Sequence, residues 1–114
     1  MSTIKLSRAI AACSLGVLAV FSVQAWAEGD PAAGKRKTQM CEGCHGIPDF
    51  RTAYPEVYSV PKLGNQGAGY IVKALQDYKS GARDHPTMRG IAASLNDKDM
   101  ADLAAYYAGS QAAK

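Results

Sequence analysis

The sequence predicts an all-α domain. Two segments carry apolar residues at 3.6-residue spacing: Ile71, Ala74, Leu75 and Tyr78, then Met100, Leu103, Ala104 and Tyr107. An earlier run from Glu28 to Met40 has helix-start chemistry and only Gly34 as an internal breaker. No convincing strand pattern occurs, and no internal repeat or low-complexity segment is visible.

Each element has a local reason. In the first, Asp30 is placed as an N-cap and Pro31 at the first helical position, where its missing N–H costs nothing. A glycine within a helix costs about 1 kcal/mol relative to alanine. Gly34 therefore suggests a close crossing by another helix. Lys35, Arg36 and Lys37 read as a solvated face. From Gly46 to Leu63 the chain should be irregular, because Ile47-Pro48, Tyr54-Pro55 and Val60-Pro61 are each unfavourable for a helix. The second helix is expected over Asn65 to Gly81, with Asn65 as cap and Gly81 as stop. Ser80 to Thr87 reads as a polar loop leading into Met88. The last helix opens at Asn96, with Asp97 and Asp99 at the positive end of its dipole, and ends at Gly109.

Cys41-Glu42-Gly43-Cys44-His45 is C-x-x-C-H, the attachment sequence of a c-type haem. Two thiols separated by two residues reach one edge of a rigid macrocycle and add to its vinyl groups as thioethers. The histidine that follows lies under the iron as the proximal ligand. Such an imidazole needs an acceptor for its other ring proton, and the Pro48 carbonyl is a candidate, unless Pro48 only turns the chain. A thioredoxin-like site would follow a strand, and none precedes this motif. A zinc site needs four ligands, usually in two spaced pairs. After residue 27 only Cys41, Cys44, His45 and His85 are available, and adjacent Cys44 and His45 suit one ion badly.

The first 27 residues read as a cleaved secretory signal peptide. Lys5 and Arg8 precede an apolar run from Ala9 to Val23, and Ala25-Trp26-Ala27 fits the small-x-small cleavage rule. An uncleaved anchor is the alternative, because the run approaches the length of a membrane span. With cleavage, residues 28–114 form one domain in the periplasm, with no membrane span and only the two motif cysteines. It then holds 11 basic and 10 acidic side chains, and the haem propionates add about −2. The precursor's pI of 8.8 is thus no sign of nucleic acid as a partner. A domain this small buries little core alone, and a covalently held apolar macrocycle would supply the rest.

A helix leading into C-x-x-C-H, a proline-containing loop, a middle helix, a methionine segment and a last helix with paired tyrosines together resemble class I cytochromes c. Pro61-Lys62-Leu63-Gly64-Asn65-Gln66, Tyr70-Ile71-Val72-Lys73-Ala74-Leu75 and Met88-Arg89-Gly90-Ile91-Ala92 are similar to small bacterial members of the c4 and c553 type. The resemblance covers Gly29 to Ala108. It implies three to five helices wrapped around one covalently attached haem c, with the first and last helices crossing near Gly34 and Tyr106 or Tyr107. One position departs from the pattern: Lys37 stands where many members have an aromatic residue.

A six-coordinate iron needs a second axial ligand. Met40 is tied to the proximal side, Met100 lies on a helical stripe where methionine fills core, and His85 sits in a polar loop. Met88, between Pro86 and Gly90, matches the family's methionine position and is the expected distal ligand. The sequence therefore predicts a periplasmic electron carrier with His45 and Met88 as axial ligands and redox proteins as partners. No catalytic constellation is visible. The alternatives are a subunit bound to a dehydrogenase or reductase, and a peroxidase or gas sensor with an open distal site. Lys62, Lys73, Lys79, Arg83 and Arg89 form either a docking face or an ordinary solvated surface.

Overall fold

In the computed structural model, which describes residues 28–54 and 57–109, the chain forms five helices. They are α1 (Pro31–Lys37), α2 (Gln39–His45), α3 (Ala68–Ser80), α4 (Pro86–Ala93) and α5 (Asp97–Gly109). The expected signal segment and cleavage site lie outside the described residues, as does Pro55. The only extended pairing among the described residues is one antiparallel bridge between Arg51 and Ser59. No helix of the described residues is long and apolar enough to cross a membrane.

The first expected helix is two helices. Asp30 caps α1 by accepting from the Ala32 amide at 2.8 Å, and Pro31 opens it. The break comes at Thr38, which is buried and has its hydroxyl 3.0 Å from the Lys35 carbonyl and 2.7 Å from a Glu42 carboxylate oxygen. A threonine hydroxyl turned back on the preceding turn competes with the helical ladder and bends it. Helix α2 then runs through the whole C-x-x-C-H motif.

The middle helix starts two residues later than the sequence suggests. Asn65 does not cap it. Its φ is 63°, a left-handed conformation that asparagine tolerates better than most residues, and its amide donates to the Tyr107 carbonyl at 3.0 Å. Gly67 occupies the cap position of α3 without a side-chain bond. Gly81, at φ 83°, ends α3 in the left-handed stop that glycine accepts most easily.

Helix α4 starts inside the segment that reads as a polar loop and carries Met88. It begins with Pro86, and His85 is its N-cap. Helix α5 follows the sequence closely. Asn96 accepts from the Asp99 amide at 2.8 Å, and Asp99 accepts from the Asn96 amide at 3.1 Å, a reciprocal box at the helix start.

The buried apolar residues are Ile71, Val72, Ala92, Leu95, Met100, Leu103, Ala104 and Tyr107. Helix α5 packs on α1 and on α3, and α3 packs on α4. The α1–α5 approach is close enough that a Cβ on Gly34 would collide with the Asp102 carbonyl and stand 2.9 Å from Tyr106 Cβ. This is the crossing that Gly34 suggested.

The same crossing corrects the reading of Lys37 as part of a solvated face. Its ammonium lies 2.8 Å from Asp102 and 2.6 Å from Asp99. Asp102 is fully buried and also accepts from the Asp30 amide at 2.8 Å and from Lys98 at 3.0 Å. The Lys37 hydrogen bond, then the Asp30 amide, hold its carboxyl well below the usual carboxylate range against the cost of burial. A charged cluster thus joins α1 to α5 at the one position that departs from the resembled pattern.

Candidate functional site

One cavity of about 480 Å³ lies between α2, the irregular segment and helices α3, α4 and α5. Its size falls within the usual range for small-molecule and cofactor sites, roughly 300–1,000 Å³. Cys41, Cys44 and His45 line it from α2, and Met88 and Ile91 from α4. Ile71, Leu75 and Tyr78 come from α3, Leu103 and Tyr107 from α5, and Tyr58 and Pro61 from the irregular segment. The cavity thus brings together all four residues expected at the site. The stripe of α3 that looked like core, from Ile71 to Tyr78, is largely cavity wall.

Helix α2 sets the first three of these residues. Successive turns place Cys41, Cys44 and His45 on one side, as spacings of three and four residues require. All three are half-buried. Burial pushes the Cys41 thiol above its ordinary range, partly opposed by the Tyr107 hydroxyl beside it. Burial, then Cys41, raises the Tyr107 phenol in turn.

His45 Nδ1 lies 2.7 Å from the carbonyl oxygen of Pro61. A carbonyl can only accept, so Nδ1 is the donor, and in the neutral imidazole Nε2 is the nitrogen with the free lone pair. The acceptor is therefore Pro61, not Pro48. The irregular segment closes back on itself to deliver it: Thr52 donates to the Tyr58 carbonyl and Val60 to the Phe50 carbonyl, both at 2.9 Å.

Met88 stands in the first turn of α4 and is half-buried. Its amide donates to His85 Nδ1 at 3.3 Å. Met100, the rival methionine, is fully buried among core residues, and Met40 is about half exposed. His85 also lines the cavity, with its ring centroid 4.5 Å from that of Tyr58. Among the described residues no three His, Cys, Asp or Glu side chains gather to hold a bare ion.

The cationic stretch is less available than its composition suggests. Lys73 pairs with Asp77, and Lys79 donates to the Leu95 carbonyl. Arg83 lies 3.3 Å from the Tyr70 hydroxyl and 4.9 Å above the Tyr78 ring. Tyr54 is almost fully exposed, whereas Tyr58 lines the cavity.

An apolar cavity with two thiols and an imidazole on one wall, and a thioether on another element, fits an iron porphyrin in donor chemistry. The cytochrome c family model matches residues 31–109. The chain belongs to the cytochrome c family. Cytochrome c4 of Pseudomonas aeruginosa is 43% identical over 84 residues, covering 74% of this chain and 40% of that protein. Cytochrome c-554(548) of Halomonas halodenitrificans is 37% identical over 86 residues, covering 73% of this chain and 99% of that protein. A thiosulfate dehydrogenase electron acceptor of Stutzerimonas stutzeri is 42% identical over 65 residues, covering 57% of this chain and 29% of that protein. The crystal structure of reduced recombinant cytochrome c4 from Pseudomonas stutzeri superposes with a TM-score of 0.54 at 32% identity. It covers 71% of this chain and 50% of that one. The chain spans about two fifths of the length of the cytochromes c4 it matches. It is a class I cytochrome c of the c4/c553 type, all-α, with covalently bound haem c.

Proposed function

We propose that this cytochrome c is a periplasmic one-electron carrier, exported by residues 1–27 and cleaved after Ala27. Cys41 and Cys44 would hold the haem as thioethers, and His45 and Met88 would bind its iron. The observation that carries this reading is the shared cavity, with the C-x-x-C-H residues on α2 and Met88 on α4. When bound, the haem supplies the ferric–ferrous couple. Pro61 fixes the His45 tautomer that presents Nε2. The apolar side chains of α3 and α5 exclude water, and the Met88 thioether favours the ferrous state. Neither proposed ligand needs to move when one electron arrives. That suits a carrier better than a peroxidase or gas sensor, which needs an open position.

The donor we propose is a periplasmic dehydrogenase. Two relatives named thiosulfate dehydrogenase electron acceptors support this, at 42% and 28% identity. Stable association with such a dehydrogenase is the second reading, and the size of the native species in periplasmic extract separates it from a free carrier.

Met88→Ala tests the ligand set. The haem should stay attached, the near-red sulfur-to-iron band of the ferric protein should disappear, carbon monoxide should bind the ferrous form, and the reduction potential should fall. Retention of the band would overturn Met88 as ligand.

A further inference from the structure

His85 is an uncommon choice for its position. Helix N-caps are preferentially Ser, Thr, Asp or Asn, whose short side chains reach the free amides of the first turn. At the start of α4 an imidazole takes that place and accepts the Met88 amide at Nδ1, 3.3 Å away. The ring is itself held. Its centroid is 4.5 Å from that of Tyr58 at a tilt of 43°, and 6.3 Å from that of Tyr78 with the planes nearly perpendicular. All three rings and Met88 line the same cavity. The backbone that carries Met88 is therefore tied by an aromatic side chain to two walls, the irregular segment through Tyr58 and α3 through Tyr78. A serine or asparagine would satisfy the amide but could not make this connection.

We propose that His85 is a positioning residue for Met88: its ring nitrogen caps the turn that carries the methionine, and Tyr58 and Tyr78 hold the ring in the capping orientation. The inference rests on Met88 as the distal ligand and assigns His85 no direct bond to iron. Its effect is on how long the thioether stays in place. A turn with an unsatisfied amide opens more readily, and the methionine leaves with it.

The test uses the ferric holoprotein and measures how fast saturating imidazole displaces the methionine, read from loss of the near-red band. His85→Phe keeps an aromatic ring beside the tyrosines but removes the accepting nitrogen. Displacement should become about fivefold faster, the size expected for loss of one N-cap. His85→Asn restores an accepting atom and should return the rate to within about twofold of the parent. A displacement rate in His85→Phe equal to that of the parent would overturn the proposal, and so would a rate in His85→Asn as fast as in His85→Phe. Met88→Ala separates the two readings. If it keeps the band, the ligand assignment fails and this inference falls with it. If it loses the band while His85→Phe exchanges normally, only the role of His85 is wrong.

Discussion

Helix α1 lies against α5 so closely that Gly34 leaves no room for a Cβ, and a buried carboxylate there gathers two lysines and a backbone amide. Helix α2, one residue further along the chain, has no comparable partner. Among the described residues it makes no extensive contact with another helix, and its Cys41, Cys44 and His45 face the cavity. The first junction is built from polypeptide alone. The second would get its packing partner from the covalently attached haem, so the two should respond very differently to removal of haem and to mutation.

The largest effect belongs to α2. Cys41→Ala or Cys44→Ala should yield little folded protein, measured as soluble yield and far-ultraviolet helicity, because α2 then lacks both its tether and its packing surface. An apo chain with full helicity and cooperative unfolding would show that the α1–α5 side is sufficient. Next is Met100→Ala, which truncates a fully buried side chain of α5 and should cost about 2–5 kcal/mol in denaturant unfolding. The ferric spectrum should be unchanged, in contrast to Met88→Ala.

Asp102→Ala should have the smaller cost of about 1.5–3 kcal/mol at pH 7, since the lysines it releases can return to water. Its pH dependence gives a sharper reading. The folded carboxyl of Asp102 is held below its unfolded value, first by Lys37. Its stabilisation is therefore complete above the unfolded value and is lost as the pH falls towards the folded one. The stability gap between parent and variant should be constant above about pH 5 and shrink below about pH 4. A gap that stays constant down to pH 3 would place the stabilisation elsewhere.

What the sequence revealed depended on how far apart the interacting residues are. Helix α5 was legible because its cap, acidic first turn and apolar stripe lie within about a dozen residues of one another. C-x-x-C-H was legible because its chemistry fixes its spacing. Helix α4 was not, because its cap is a histidine and the residues before it are polar. Asn65 misled because the same short side chain that caps helices also suits a left-handed turn. The acceptor for His45 was sought three residues away and lies sixteen residues away, at Pro61. The role of Lys37 could not be read locally, because its carboxylate partner is 65 residues distant.

The distance that the α1–α5 junction spans in sequence governs the order of events when the chain is made. The Asp30 amide and the Asp102 carboxylate are 72 residues apart. Among the described residues, four of the eight buried apolar ones, Met100, Leu103, Ala104 and Tyr107, lie on α5. A chain emerging from its N-terminus therefore holds Cys41 and Cys44 long before it holds the helix that closes its core. Contacts so remote in sequence form late, after a long loop has been closed. Both thiols thus precede in the chain, by some fifty residues, the helix that supplies half of the described buried apolar residues.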